Sequence, residues 1–298
     1  MNGPFKAKVH GVSVQNRRES CERPCEWGCE WVVYAAERKR MLVMPPCEAA
    51  RTSCRQRPCH ISPNSHISGL GGGMEGGALS SVNAYGCTIT NNTNFAESGG
   101  GCKSCNTYNC LITHNAVVSG TSSTVGRGGG GVLYGSHYND LIANNICGCY
   151  GSGAMAAALY NCTIVNNVGT NAGGHTAVIA TCQNGNSYLN NCIVWGNRNL
   201  AGGKVSCDAT AASNSCLEVT SIPAKWVSCT NVNPQLDAAL RPHARVCKRA
   251  GLVFEWMTDE ADVRSKDLAG NPRIAPGKEK PDMGCYETPF TGLMLIVR

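Results

Sequence analysis

The sequence predicts an all-β protein built as a parallel β-helix, a solenoid of about five to seven coils. One motif recurs five times: it reads Gly-Cys-Thr-Ile-Thr-Asn-Asn from Gly86 and returns in variant form at Asn109, Asn139, Asn161 and Asn191. Its second position advances by 23, 30, 22 and 30 residues, so each copy supplies one short strand per coil. Runs of glycine precede successive copies, and we interpret them as turns.

Alternation within each copy predicts which side chains face the core. The side of the strand that carries Cys87 and Ile89 also carries Asn91, and Asn92 lies on the opposite side. If the strands stack in register about 4.8 Å apart, like residues lie on like residues. The predicted apolar ladder inside the coils consists of Ile89, Ile112, Ile142, Ile164 and Val194.

The last residue of every copy is asparagine. A side-chain amide both donates and accepts hydrogen bonds, so identical asparagines on successive coils can bond to each other along the stack. Asparagine also tolerates the left-handed backbone conformation of a sharp corner. The predicted structural ladder consists of Asn92, Asn115, Asn145, Asn167 and Asn197.

The twenty cysteines allow two interpretations. In an exported protein they form disulfides, whereas a buried cysteine packs as a small apolar side chain. Thiols are favoured for the four cysteines at the second motif position, an inward ladder of Cys87, Cys110, Cys162 and Cys192. Asp140 takes this position in the third copy. An inward carboxylate there needs a hydrogen-bond partner, which either Asn139 or a corner amide supplies. The other alternative is that the register of this coil differs from that of its neighbours. Cys102 and Cys105 are expected in an ordinary loop or a local disulfide.

Three further motifs carry a resemblance to a known family. They lie at Gly76–Leu79 (Gly-Gly-Ala-Leu), Asp267–Ile274 (Asp-Leu-Ala-Gly-Asn-Pro-Arg-Ile) and Asp282–Glu287 (Asp-Met-Gly-Cys-Tyr-Glu). With the repeated strands they resemble bacterial right-handed parallel β-helix proteins of the choice-of-anchor Q type and, more loosely, chlamydial polymorphic outer-membrane repeats, over residues 69–287. The resemblance implies a pectin-lyase-like fold and an exported protein, and it supplies no catalytic residues. The closing motif comprises Asp267, Gly270, Asn271, Arg273, Asp282, Gly284 and Glu287. Its acidic side chains are expected to form hydrogen bonds at corners of the chain.

Composition divides the chain into three parts. Residues 1–65 form a basic, cysteine-rich segment that is expected to be poorly structured or non-native. Residues 66–232 hold the coils, and residues 233–298 are expected to form a terminal coil and a cap over the open end. Because no secretory signal is evident near the start, we expect a truncated or mis-started chain. The apolar run after Gly292 is too short to span a membrane.

The charge distribution narrows the choice of partners. Residues 1–60 hold 11 Lys/Arg and 6 Asp/Glu, whereas residues 61–200 hold three of each. The coils therefore offer no basic stripe for nucleic acid. The spacing of Cys21, Cys25 and Cys29 is not a usual zinc pattern, and neither a metal nor a cofactor is expected.

A polysaccharide lyase or hydrolase needs a positioned base and grouped carboxylates. The three acids of residues 61–200 are Glu75, Glu97 and Asp140, which occupy different positions of the repeat. His114 and His137 lack a nucleophile at a recognisable spacing and are expected to be satisfied surface histidines. No catalytic residue is assigned.

The sequence therefore favours a non-catalytic protein of the cell surface or extracellular space. We expect it to present a polar face to a glycan or another surface partner, or to act as a rigid spacer. The alternative is a carbohydrate-active enzyme of pectate-lyase or polysaccharide-hydrolase type. That alternative requires several of the following charged residues to meet in one cleft with an acid such as Asp237 or Asp262: Glu75, Glu97, Lys103, Arg127, Asp140 and Arg198.

Overall fold

The computed structural model describes residues 83–95, 99–118, 128–171, 176–182 and 185–288, and the backbone of short strands at 60–61, 65–66 and 79–80. All of these residues belong to one of the two compact units of the chain, Ala35–Arg298. Short β-strands dominate this part of the chain. Its helical segments are single 3-10 turns at Arg245–Cys247, Glu255–Met257 and Val263–Ser265.

Four parallel sheets run the length of the stack, and a complete coil contributes one strand to each. Sheet 1 contains β3 (Leu79–Ser80), β7 (Cys102–Lys103), β11 (Val132–Leu133), β15 (Ala154–Met155) and β19 (Ile179–Ala180). Sheet 2 contains β4 (Asn83–Tyr85), β8 (Asn106–Tyr108), β12 (Ser136–Tyr138), β16 (Ala158–Tyr160), β20 (Tyr188–Asn190) and β23 (Ala211–Ser213). Sheet 3 contains β1 (His60–Ile61), β5 (Thr88–Thr90), β9 (Leu111–Thr113), β13 (Leu141–Ala143), β17 (Thr163–Val165), β21 (Ile193–Trp195) and β24 (Cys216–Leu217). Sheet 4 contains β2 (Ser65–His66), β6 (Thr93–Asn94), β10 (Ala116–Val117), β14 (Ile146–Cys147), β18 (Val168–Gly169) and β22 (Arg198–Asn199).

The predicted parallel β-helix is confirmed, with the five motif copies on sheet 3. The copies pair in register, so Ile112 lies between Ile89 and Ile142 in the stack. The side chains of this apolar ladder are buried, as a solenoid core requires. Leu141 pairs with Leu111, so the coil that contains Asp140 has the register of its neighbours.

The alternation predicted for the end of each copy is wrong. Asn91 is exposed with φ +56°, and Asn92 is buried. The left-handed conformation of Asn91 turns the chain, so the next side chain points inward instead of outward. Asn144 makes the same turn two coils later, also with φ +56°.

This account of the corner predicts different results for two substitutions of Asn144. Its side chain is exposed and its backbone is left-handed. Asn144→Ala is expected to lower the free energy of unfolding by about 1 kcal/mol, because alanine is strained in this conformation. Asn144→Gly is expected to be nearly neutral, since glycine adopts it without strain. Urea denaturation measures both, and an equal loss in the two variants would mean that the amide itself, not the backbone, matters there.

The asparagine ladder lies inside the coils. In the first four residues Nδ2 donates to Oδ1 of the next asparagine, at 2.8 Å from Asn92 to Asn115, 3.1 Å from Asn115 to Asn145 and 3.0 Å at the two later steps. Each Oδ1 also accepts the backbone N–H of the preceding asparagine, as in the 2.9 Å contact from Asn115 to Asn145. Asn167 and Asn197 complete the row, and all five side chains are buried. The ladder thus satisfies the polar groups of five successive corners.

The C-terminal segment differs from the terminal coil and cap that the sequence predicts. Residues 233–288, here called the strap, run back along the outer side of sheet 3. Leu141, Ala143 and Val165 point outward from sheet 3 and are buried with Cys285 of the strap. An apolar outer face must be covered, which is why β13 and β17 are buried on both sides.

The C-terminal end of the stack is covered by the residues before the strap. Val227 and Thr230 bridge in parallel to Ser213 and Cys216, so they continue the sheets for part of another coil. Trp226 is buried against the core of the coils. At the other end the stack begins before residue 66, since His60–Ile61 pairs with β5.

Candidate functional site

Four tyrosines form a continuous stack along the outer side of sheet 2. Their ring centroids are separated by 4.6 Å from Tyr85 to Tyr108, 5.3 Å from Tyr108 to Tyr138 and 4.8 Å from Tyr138 to Tyr160, with nearly parallel ring planes. Each is the last residue of its strand and is half-buried. Our sequence analysis missed this stack, although a tyrosine directly precedes four of the five motif copies.

A polar row runs beside the tyrosines on the same strands. Asn106 Nδ2 donates to Asn83 Oδ1 at 3.0 Å, and the Ser136 backbone N–H donates to Asn106 Oδ1 at 3.0 Å. The outer residues of β4, β8, β12 and β16 are thus tyrosine, asparagine, serine and alanine, without a charge. We call this surface, which comprises Asn83, Tyr85, Asn106, Tyr108, Ser136, Tyr138, Ala158 and Tyr160, the tyrosine face.

The strap contacts one end of the tyrosine face through aromatic side chains. Phe254 meets Tyr160 edge-on at 5.7 Å, and Trp256 meets Tyr138 edge-on at 5.8 Å. Arg264 lies 5.1 Å from the ring centres of both Tyr138 and Trp256. These contacts stabilise the docked strap, and such cation–π pairs contribute about 0.5–2 kcal/mol each. Tyr85, at the other end of the stack, lies beyond them.

A shallow recess of about 490 Å³ adjoins these contacts. It is lined by Glu255, Trp256, Thr258, Asp259, Asp262 and Arg264. Arg264 donates to both carboxylate oxygens of Asp262, at 2.6 Å from Nη2 and 3.0 Å from Nε. This hydrogen-bonded ion pair holds the pKa of Asp262 below its ordinary value. Glu255 and Asp259 are exposed at the recess.

The tyrosines beside the recess are neutral hydrogen-bonding groups. Burial raises the pKa of Tyr108 above its ordinary 10.0, and the neighbouring tyrosines raise it further. Burial also raises the pKa of Tyr160. A phenol that keeps its proton both donates and accepts. The tyrosine face is therefore suited to hydrogen bonding with hydroxyl-rich ligands.

The cysteines at the second motif position are buried as reduced thiols. Their sulfurs lie 3.5 Å from Tyr85 O for Cys87, 3.5 Å from Tyr108 O for Cys110 and 3.4 Å from Tyr160 O for Cys162. Cys192 makes the corresponding contact with Asn190 O at 3.3 Å. The contact with Cys87, and after it burial, raises the pKa of Cys110, whereas burial, and after it the contact with Cys192, raises the pKa of Cys162.

Cys102 and Cys105 are also reduced and fully buried. Cys102 belongs to β7 and Cys105 lies in the short connection before β8, so the predicted loop is found for Cys105 but not for Cys102, and the two do not form a local disulfide in the structure. The hydrogen bond from Cys105, and after it burial, raises the pKa of Cys102 well above its ordinary 9.0. A thiol in this environment is a poor nucleophile.

Asp140 takes part in a hydrogen-bonded chain inside the coils. The carboxyl contacts the Thr107 hydroxyl, whose oxygen lies 2.6 Å from His137 Nδ1. The Cys110 backbone N–H donates to Asp140 Oδ1 at 2.7 Å, and His137 Nε2 donates to Tyr134 O at 3.0 Å. Of the partners predicted for Asp140, a backbone amide is the one found, namely Cys110 N–H. The second partner is the Thr107 hydroxyl and not Asn139. The prediction that His137 is a surface residue is wrong, since it is fully buried.

Burial shifts both titratable groups of this chain toward their neutral forms. It raises the pKa of Asp140 from 3.8 to about 7, although hydrogen bonds from Thr107 and Cys110 oppose the shift. It lowers the pKa of His137 from 6.5 to about 4. His114, in contrast, is exposed, as predicted for a surface histidine.

The closing motif joins the strap to the coils through Arg273, which is fully buried. Arg273 Nε and Nη2 donate to Asn139 Oδ1 at 3.0 and 2.8 Å, and Nη2 also reaches Asn161 O at 3.3 Å. Its Nη1 donates to Gly284 O at 2.9 Å and to Glu287 Oε1 at 2.7 Å. One guanidinium therefore donates hydrogen bonds to two corners of the coils and to two residues of the strap.

Asp267 closes a turn within the strap. Its Oδ1 accepts the backbone N–H of Ala269 at 2.9 Å and of Asn271 at 2.7 Å. Its Oδ2 accepts the backbone N–H of Glu287 at 2.8 Å, which ties the two halves of the closing motif together. Gly270 has φ +87° in this turn, a conformation that favours glycine.

Lys278 is a member of this network that the sequence did not indicate. It lies 2.9 Å from Asp282 Oδ1 and also contacts Glu287. Burial would raise the pKa of Asp282, but hydrogen bonds from Thr288, Arg249 and Lys278 hold it below its ordinary value. Burial raises the pKa of Glu287. The acids of the closing motif are thus occupied by structural contacts.

The charged residues of the coils lie in separate environments where the structure describes them. Arg198 bonds Glu218 at 2.7 Å, Lys103 is buried, and Asp140 lies inside the coils. Glu75, Glu97 and Arg127 lie outside the described residues, as do Cys21, Cys25 and Cys29. Over the described ranges, no group of three or more His, Cys, Asp or Glu side chains is placed to hold a metal ion. The described part of the chain also has no helix long and apolar enough to cross a membrane.

Comparison of the chain with known family models, with characterised proteins and with solved structures finds no match. Function is therefore inferred from the molecule's own surfaces. Of these, the tyrosine face and the adjoining recess combine exposed polar groups with aromatic rings. Such a combination is suited to binding a polar, non-ionic ligand.

Proposed function

We propose that the protein is a non-catalytic β-helix scaffold that acts outside the cell and binds a glycan along the tyrosine face. The observation that carries the proposal is the in-register row of tyrosines and amides on sheet 2. The resemblance of the closing motif to choice-of-anchor Q proteins supports an exported location. A spacer without a ligand is the competing outcome.

The chemistry of the face matches that of a sugar chain. Glycan hydroxyls both donate and accept, which suits the amides of Asn83 and Asn106 and the hydroxyls of Tyr85 and Tyr108. Apolar C–H groups of a sugar can pack against the half-buried aromatic rings. A linear polysaccharide repeats the same groups along its length, and so does a surface made of stacked coils. At the recess, Glu255 and Asp259 add two exposed acceptors for sugar hydroxyls.

The pairing of Asp262 and of Arg198, and the burial of Asp140, support binding without catalysis. Asp262 is paired with Arg264, and Arg198 is paired with Glu218. Asp140 is enclosed in the core, where no polysaccharide reaches it. An acid or base for sugar chemistry must instead be within hydrogen-bonding reach of the substrate.

Binding is tested with a panel of immobilised neutral polysaccharides and polyuronates. The double substitution Tyr85→Phe/Tyr108→Phe removes two hydroxyls and retains the ring stack. It is expected to weaken binding about 5–150-fold, since each lost hydrogen bond costs about 0.5–1.5 kcal/mol. Ile146→Ala, an exposed position on sheet 4, is the matched control and is expected to leave binding unchanged.

Two results would contradict the proposal. Absence of binding to every member of the panel would leave the spacer function. Release of unsaturated or reducing-end products from a polyuronate would show that the protein is an enzyme. Fractionation of the native cells with an antibody against the chain tests the location separately, and a purely cytoplasmic signal would refute export.

A further inference from the structure

A pair of cysteines connects the strap to the last coils. Cys216 belongs to β24 and points away from the core, and Cys247 belongs to the 3-10 turn at the start of the strap. Both are fully buried, in one cluster with Ile193 and Met283. Each of the two layers thus contributes one sulfur to this interface.

The two thiols lie in the same small buried cluster, and Cys216 Sγ also lies 3.2 Å from Val232 O. The interaction between the two thiols is the main cause that lowers the pKa of Cys247 below its ordinary 9.0 and raises the pKa of Cys216, so the pair favours a single thiolate. A thiolate beside a second thiol is the arrangement from which disulfides form.

Other contacting cysteines of the described residues are placed less favourably for a disulfide. Cys147 and Cys149 are two residues apart, so a bond between them would close a very small ring, and a bond between Cys102 and Cys105 would lie within one coil and would not join the strap to the coils. The ladder cysteines face the interior of the coils, where an oxidant has no access once the stack has formed. The Cys216–Cys247 interface, in contrast, is open until the strap docks.

We propose that Cys216 and Cys247 form a disulfide that locks the strap onto the coils. The oxidant is a low-molecular-weight disulfide or a thiol–disulfide oxidoreductase of the extracytoplasmic space. The Cys247 thiolate attacks one sulfur of this oxidant, which forms a mixed disulfide and releases one thiolate. The Cys216 sulfur then loses its proton, attacks Cys247 Sγ and expels the second thiolate. Two protein thiols are oxidised, and the oxidant disulfide is reduced to two thiols.

The bond closes a loop between positions 216 and 247 and restrains the strap in the unfolded chain. Loops of this size stabilise mainly by reducing the entropy of the unfolded state. The oxidised protein is therefore expected to unfold roughly 5–10 °C above the reduced protein. This inference rests on the exported location in the proposed function but not on glycan binding, so absence of glycan binding would leave it intact.

The test uses the full chain refolded with oxidised and reduced glutathione, followed by alkylation of free thiols in denaturant and peptide mapping. A crosslinked peptide that contains Cys216 and Cys247 is the expected result. Alkylation of both cysteines, or a bond from either to another cysteine, would overturn the proposal. Mapping the wild-type chain gives this answer without any variant.

Thermal unfolding of variants tests the effect of the bond. The difference between oxidised and reduced protein is expected to disappear in Cys247→Ala and in Cys216→Ala. It is expected to persist in Cys285→Ala, the matched control, which removes another buried strap cysteine. A difference that persists in Cys247→Ala would show that some other bond is responsible.

Discussion

Replacing Arg273 with alanine is expected to lower the free energy of unfolding by about 3–5 kcal/mol, the cost of breaking a buried ion pair on one side. Arg273 is fully buried and donates to Asn139, Gly284 and Glu287. The substitution leaves the Glu287 carboxylate enclosed with Lys278 as its remaining cation. It also leaves Asn139 Oδ1 without its two guanidinium donors. Denaturant unfolding followed by circular dichroism measures the loss.

A double-mutant cycle separates the charge from the packing. Arg273→Met fills much of the same volume, and Glu287→Gln removes the charge of the partner. The double variant Arg273→Met/Glu287→Gln is expected to be less destabilised than the sum of the single variants by about 1–3 kcal/mol, since neither charge is then left alone. Strictly additive effects would mean that Arg273 acts through shape and through Asn139, not through the ion pair.

The same substitution tests the role of the strap. Stability differs between parts of a structure, and segments can open before the whole chain unfolds. In Arg273→Ala we expect proteolysis to begin within residues 233–288 while the coils remain protected. If the coils are cut equally early, the strap is an integral part of the core and not a separable layer.

The repetitive part of this fold could be predicted from the sequence because stacking multiplies a weak local signal. A single copy such as the one at Ile164 is too short to predict a strand with confidence, but Ile89, Ile112 and Ile142 at the same position define a ladder. The side on which Asn92 lies could not be read from period-two alternation. A left-handed residue breaks that alternation at Asn91.

The strap and its contacts depend on single, non-repeated residues. Leu141, Val165 and Ile193 already interrupt the polar outer pattern begun by Thr88, and this departure indicates a covered face. It does not reveal which segment covers it. Arg273 reaches Asn139 across 134 positions of the chain, a pairing that no local pattern records.

The tyrosine face could be predicted in part: its repeated residues could be read from the sequence, but its contacts with the strap could not. Its tyrosines repeat with the coils, so the signal was present directly before the motif. The aromatic contacts of Phe254 and Trp256 come from the strap and could not be anticipated. The recess beside them therefore emerges only from the folded chain.

The hydrogen bonds around Asp140 indicate where its proton lies. Tyr134 O can only accept, so His137 Nε2 carries a proton, and in the neutral ring Nδ1 must accept. The single hydroxyl proton of Thr107 then points to Nδ1. With a neutral His137 ring, Thr107 accepts from the Asp140 carboxyl, which must then be protonated; with a charged ring, Thr107 instead donates to an Asp140 carboxylate. The raised pKa of Asp140 and the lowered pKa of His137 favour the neutral pair. For the neutral pair, folding between about pH 4 and 6.5 thus moves one proton from the histidine to the aspartic acid.

This proton transfer fixes the pH dependence of the pair. The raised pKa of Asp140 means that its contribution to stability is complete below 3.8 and is lost as pH rises to about 7. The lowered pKa of His137 means that its contribution is complete above 6.5 and is lost as pH falls to about 4. Between these limits the folded and unfolded pair bind the same number of protons, and the two effects cancel.

Asp140→Asn removes one side of this balance and is expected to stabilise the protein at neutral pH. The amide accepts from Cys110 N–H through its oxygen and donates to Thr107 through its nitrogen, as the protonated acid does. Relative to wild type, the variant should gain about 1.4 kcal/mol per pH unit above pH 4, or about 4 kcal/mol at pH 7. Urea denaturation of both proteins across this range measures the difference.

Asp140→Ala separates the charge from the hydrogen bonds. It removes the same titration, so its stability relative to wild type should rise with pH along the same slope as that of Asp140→Asn. It also leaves Cys110 N–H without an acceptor and Thr107 without one partner, which lowers the whole curve by about 1–3 kcal/mol. If the difference between Asp140→Asn and wild type stays constant with pH, Asp140 is ionised in the folded protein. The proton then does not move to it on folding, and the buried chain is instead an ion pair between Asp140 and a charged His137.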